Sequence, residues 1–155
     1  MHFVTGGAFT GKRRWVTEYY QLDQSNDYKW FSAYQHDDLP GHWKSINESI
    51  VVVEGMETWI KHECKFGDWS DRSWMQWLEA MLVWENEKSR TCIIIGTDIS
   101  KGIVPSMKWE RDWRDQTGRW YQSITSNADQ VDVIWNGLNL TLKEKGVKTH
   151  ENLYT

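Results

Sequence analysis

Cysteine is scarce. Cys64 and Cys92 are the only two among 155 residues, too few and too far apart for a metal-type pair or a disulfide framework. Two free thiols in a reducing compartment are the expectation, which places the chain in the cytoplasm. Basic charge is also short: 18 Lys and Arg stand against 22 Asp and Glu, a formal net charge of −4. With no long basic run to offset that balance, a nucleic-acid partner is not expected. No apolar stretch approaches the roughly 20 residues of a membrane span. The opening MHFVT lacks the charged-then-apolar pattern of a signal segment. Internal repeats, low-complexity segments and linkers are missing as well. The expectation is one domain over residues 1–143 and a polar tail over 144–155.

Tryptophan, by contrast, is abundant, with 12 residues. Trp74, Trp77, Met81 and Trp84 fall on one stripe of an amphipathic helix in DRSWMQWLEAMLVWENEK. Such a stripe reads as core or subunit interface, or else as a platform for stacking on a ligand.

Strands are expected at 2–5, 29–34, 49–54, 91–96 and 131–135, with a last one in LNLTLK after the turn at Asn136-Gly137. SIVVVE and TCIIIG are continuous apolar runs, as in strands covered on both faces of a parallel sheet. Helical patterns fill 11–21, 56–64, 70–88 and 107–127. Strands alternating with helices imply right-handed βαβ units. The expected fold is therefore a three-layer α/β domain, its sheet mostly parallel with an antiparallel C-terminal edge.

One short stretch carries chemistry. In TGGAFTGKRR, Gly6, Gly11 and Lys12 satisfy G-x-x-x-x-G-K, after an apolar strand and before a helical pattern. In a phosphate-binding loop, Gly6, Gly7, Ala8, Phe9, Thr10 and Gly11 would wrap backbone N–H groups around an anion. Lys12 would then reach the terminal phosphates. The plain alternative is a glycine-rich turn that ends a strand. Arg13 stands where a Ser or Thr hydroxyl would meet magnesium. Arginine cannot ligate a cation, but it can bind phosphate oxygens. SIVVVEG delivers Glu54 to a neighbouring strand end, where an acid either organises Mg2+ or marks the solvent boundary. TCIIIG leads likewise to Thr97-Asp98. Arg111 and Arg114, three apart on a helix, suit phosphates or the carboxylates of Asp112 and Asp115.

The residues from Ile93 to Lys143 resemble the C-terminal half of the bifunctional adenosylcobinamide kinase/adenosylcobinamide-phosphate guanylyltransferases of cobalamin biosynthesis. The resemblance rests on Gly102-Ile103-Val104-Pro105, Arg114-Asp115, Gly118-Arg119, Gln122, Ala128-Asp129 and Gly137. FVTGGAFTGK is similar to the family's P-loop, and VVVEG to its acidic strand end. Arg13, Thr97 and Tyr121 replace family residues, and most of a helix after the second strand is absent. The resemblance implies a P-loop fold and two reactions: phosphorylation of adenosylcobinamide with GTP or ATP, then GMP transfer from GTP to the phosphate. It also implies a homo-oligomer, with a trimer as the leading form and part of the Trp74–Trp84 helix available for contact. In QHDDLPGHW it makes His36 the candidate guanylylated nucleophile, with Asp37 or Asp38 to orient it, and His42 the second histidine. Two other readings stay open: a non-catalytic nucleotide- or corrinoid-binding descendant, and a P-loop kinase for another small molecule.

Overall fold

A computed structural model describes residues 1–145. Six strands form one sheet: β1 (His2–Gly6), β2 (Tyr28–Ser32), β3 (Ile50–Glu54), β4 (Thr91–Thr97), β5 (Gln130–Trp135) and β6 (Leu138–Lys143). Four helices join them: α1 (Lys12–Tyr19), α2 (Met56–Phe66), α3 (Asp71–Glu87) and α4 (Lys108–Asn127). The strand order is β2-β3-β4-β1-β5-β6. All pairings are parallel except β5 with β6, which returns antiparallel. The expected α/β fold, with its antiparallel C-terminal edge, is the one that forms. The edge is made by a two-residue turn whose central residues, Asn136 and Gly137, both take positive φ, as a tight hairpin demands.

The continuous apolar runs are explained by burial on two faces. Phe3, Val51, Val53, Cys92 and Ile94 pack with Met56 and Ile60 of α2, Leu78 of α3 and Ile124 of α4. Their neighbours Val4, Val52, Ile93 and Ile95 pack on the opposite face with Val16 of α1. The third layer is thus uneven, one helix against three. Ser70 starts α3 with a capping box, its hydroxyl accepting from the Ser73 N–H.

The tryptophan stripe belongs to the core. Trp74, Trp77, Met81 and Trp84 are all buried within one chain, while Val83 of the same helix is exposed. They cover the β2-to-β3 crossover, which has only short 3-10 turns at Ala33–Gln35 and Trp43–Ser45. The strand expected to reach Tyr34 stops at Ser32, because Ala33 and Tyr34 enter the first of those turns. An irregular segment that dips into the core at Pro40, Trp43 and Ile46 leaves carbonyls that need donors. Indole N–H groups supply them: Trp59 to Asp37 at 3.0 Å, Trp77 to Pro40 at 2.7 Å and Trp84 to Ile46 at 3.3 Å. Aromatic bulk and an N–H in one side chain stand in for the missing helix. Of the expected tail over 144–155, residues 146–155 lie outside the described residues.

Candidate functional site

The chain leaves β1 for the far edge, returns through β2, β3 and β4, and then departs from β4 to β5 on β1's other side. Connections that diverge in this way open a crevice at the carboxyl ends of the strands. The glycine loop lies there. Gly6 has φ +144°, and a Cβ on it would stand 2.4 Å from the Ile134 carbonyl oxygen, so only glycine fits. The Gly6 carbonyl accepts from the Asp98 N–H at 2.8 Å, and the Thr10 carbonyl from the Gly137 N–H at 2.8 Å. The loop is thereby tied to β4 and to the β5–β6 turn. Phe9 takes φ +58° and projects fully into solvent. Gly11, at φ +90°, begins α1 with no side-chain cap, leaving first-turn N–H groups for an anion.

Lys12 is buried, and its ammonium donates to the Gly7 carbonyl at 2.6 Å. Burial pulls its pKa below the ordinary lysine value, against the attraction of Glu57 and Glu54. A partly desolvated cation inside a loop of backbone amides is suited to a polyanion. Beside the loop lies a cavity of about 510 Å³, bordered by Gly6, Asp98, Arg114, Tyr121 and Val133. The Thr117 hydroxyl on its wall is buried without a hydrogen-bond partner.

Arg13, on the first turn of α1 beside the loop, is half exposed and pairs with the end of β3. Its Nη1 lies 3.4 Å from Glu54 Oε1, and its guanidinium sits 4.9 Å from the Trp30 ring centroid. Trp30 Nε1–H donates to the same oxygen at 3.1 Å. The residues present therefore do not fit a metal held in the usual P-loop manner. The hydroxyl position carries a cation, and that cation occupies the carboxylate expected to organise Mg2+.

Sequence reasoning missed a second acid. Glu57, one turn past Glu54, accepts from Tyr34 OH at 2.5 Å, Thr58 OH at 3.2 Å and the Thr97 N–H at 2.9 Å. Tyr121 OH donates to the Thr97 carbonyl at 2.8 Å, across Gly96, where a Cβ would meet that hydroxyl at 2.3 Å. Burial, and Glu57 nearby, raise the pKa of both Tyr34 and Tyr121, so both stay protonated donors. This belt links the turn after β2 with α2, β4 and α4. Its only sequence signal was the substitution of Thr97 and Tyr121 at family positions.

His36 sits elsewhere. It ends the 3-10 turn after β2 with φ +64°, and lines a separate cavity of about 360 Å³ with Trp59, His62 and Glu63. β2 is three places from β1 in the sheet, about 14 Å at the usual strand spacing. Asp37 accepts from the Ser32 N–H at 2.8 Å, so its carboxylate serves the backbone rather than His36. Arg111 donates to the carbonyls of Pro105 and Ser106, and Arg114 to those of Lys101 and Ile103. Those two arginines fasten the loop before α4. The ion pairs considered with Asp112 and Asp115 do not form.

The model of the cobinamide kinase / cobinamide phosphate guanyltransferase family matches residues 23–142. The chain belongs to that family. Its role is accordingly that of a nucleotide-using transferase of cobalamin biosynthesis, with nucleotide and cobinamide as the substrates the family implies. No curated protein sequence matches the chain. The family match takes in Glu54, the Thr97–Tyr121 belt and His36, and it begins downstream of the glycine loop. The loop's reading rests on its own strand–loop–helix geometry. Among the described residues, no helix is long and apolar enough to cross a membrane.

Proposed function

We propose that this chain binds GTP or ATP with the triphosphate in the Gly6–Arg13 loop and phosphorylates adenosylcobinamide. The observation that carries the reading is the buried Lys12 ammonium inside a glycine loop at the carboxyl end of a central strand. Lys12 would neutralise charge that builds on the terminal phosphate oxygens during transfer. The neighbouring cavity at Gly6 would take the organic part of a substrate. Adenosylcobinamide incubated with ATP or with GTP, and analysed by mass, should gain one phosphate. No mass change with either nucleotide would leave a non-catalytic binder, or a kinase for another small molecule.

Guanylyl transfer is the second proposed step. A neutral His36 nitrogen would attack the α-phosphorus of GTP and release pyrophosphate. The substrate phosphate would then displace the histidine, forming the new P–O bond as the N–P bond breaks. The separate His36 cavity favours the kinase alone, because the imidazole must cross about three strand spacings to reach the loop. GTP labelled on the α-phosphate decides between them. An acid-labile protein adduct lost in His36→Asn and kept in His42→Asn is the result expected of the transferase. Phosphorylated product with no adduct in the wild-type chain would identify a kinase.

The two cysteines among the described residues are free thiols, Cys92 fully buried, which supports a cytoplasmic setting. Self-association into a homo-oligomer, a trimer in the family pattern, is proposed to use the exposed Leu138, Leu140 and Leu142 of β6. Leu140→Lys should lower the sedimentation mass; an unchanged mass would remove this face from the contact.

A further inference from the structure

We propose that Arg13 is a fixed cation standing in the place of the P-loop magnesium, so that the loop binds nucleoside triphosphates without a divalent metal. The inference rests on the nucleotide site proposed above. Three observations carry it beyond that reading. First, position 13 directly follows Gly-Lys, where a metal-ligating hydroxyl would sit, and no ligating atom is present in arginine. Second, the guanidinium is placed rather than free: its Nη1 donates to Glu54 Oε1 at 3.4 Å, and its carbon lies 4.9 Å from the Trp30 ring centroid. Trp30 in turn is oriented by its own N–H on Glu54 at 3.1 Å. Third, Glu54 is itself buried and shares one oxygen between these two donors. A dication there would have to displace the guanidinium and then sit beside it, against like-charge repulsion.

The chemistry is coherent. A planar guanidinium is always charged and can offer paired N–H donors to two phosphate oxygens, whereas a magnesium ion must be recruited from solution. Glu54 thereby changes its task, from ligating a metal to aiming an arginine. Trp30 lies against the group, and Lys12 supplies the second positive charge from inside the loop.

Calorimetric titration with GTP and with ATP tests this, in EDTA and again in millimolar magnesium. The wild-type dissociation constants in the two conditions should agree within about threefold. Arg13→Ser should bind about tenfold or more weakly in EDTA, and magnesium should restore much of that loss. Glu54→Gln removes the carboxylate that aims the guanidinium and should weaken binding in EDTA by about threefold or more, with no restoration by magnesium. Wild-type binding at least about tenfold tighter with magnesium, or Glu54→Gln losing a magnesium-dependent gain, would overturn the proposal while leaving the loop as the nucleotide site. No binding in either condition would overturn the loop reading and this proposal together.

Discussion

Lys12→Ala should weaken GTP and ATP binding by about tenfold to a hundredfold, the loss expected for charge-assisted hydrogen bonds worth about 1.5–3 kcal/mol. The ammonium is buried in the loop, with the Gly7 carbonyl as its hydrogen-bond acceptor at 2.6 Å. Phosphate oxygens are stronger acceptors than that carbonyl. The same residue should behave oppositely toward stability. Burial holds its pKa down, which means that the charge is tolerated in the folded chain rather than favoured by it. Lys12→Met keeps the aliphatic volume and removes the charge, so its melting temperature should hold or rise. Calorimetric titration and thermal melts on the two variants separate the roles. Equal nucleotide affinity in the wild-type and Lys12→Ala proteins would remove the phosphate-binding reading. A Lys12→Met protein that binds weakly and also melts well below wild type would make Lys12 a structural residue.

The contrast between Lys12 and Arg13 shows what was legible beforehand. Gly6, Gly11 and Lys12 are six contiguous positions apart at most, and the loop they make is a local consequence of glycine dihedrals and a following helix. Local signals of that kind placed all six strands and four helices within a few residues, because burial on both faces leaves unbroken runs such as VVV and III. Arg13 pairs with Glu54 across 41 positions, and Tyr34 with Glu57 across 23. No periodicity records which acid a cation will meet. That depends on the order β2-β3-β4-β1, which sets Glu54 beside Trp30's strand and Thr97 beside Gly6. The His36 expectation shows the same limit. It correctly put the residue after β2, on the same end of the sheet as the loop, but distance across the sheet follows from strand order alone. The tryptophan stripe was legible as an apolar face. Its indole donors, satisfying the carbonyls of Pro40 and Ile46, were not, since nothing in a helical period marks an irregular neighbour.

The strongest effect on stability should come from Asp132, a residue with no signal in its own sequence context. Its side chain is fully buried on β5. Oδ2 accepts from His2 Nε2 at 2.6 Å and from Gln130 at 2.8 Å, while Oδ1 accepts from Thr141 at 2.6 Å and Asn139 at 3.1 Å. His2 Nδ1, left as an acceptor, takes the Tyr20 hydroxyl at 2.6 Å, so the network ties β1, β5, β6 and the end of α1. Burial works against the charge on Asp132, but the four side-chain donors prevail and hold its pKa below 3.8. For His2, burial prevails over the attraction of Asp132 and holds its pKa below 6.5. Both groups therefore bind fewer protons folded than unfolded, and stability rises with pH across each window. As pH falls below 6.5, His2 should begin to withdraw stability; below 3.8, Asp132 should add to the loss. Asp132→Ala leaves the buried His2 N–H without its acceptor, together with the partly exposed donors of Gln130, Asn139 and Thr141, and should cost about 1–3 kcal/mol, or roughly 2–12 °C in melting temperature for a chain of this size. Asp132→Asn keeps the shape and should cost less, since one oxygen can still accept. His2→Asn should flatten the dependence of melting temperature on pH between about 5 and 7, the range in which an unfolded histidine titrates. Chemical denaturation of the three variants across that range supplies the check. A loss under about 1 kcal/mol in Asp132→Ala, or an undiminished slope in His2→Asn, would show that the network carries neither the stability nor its acid sensitivity.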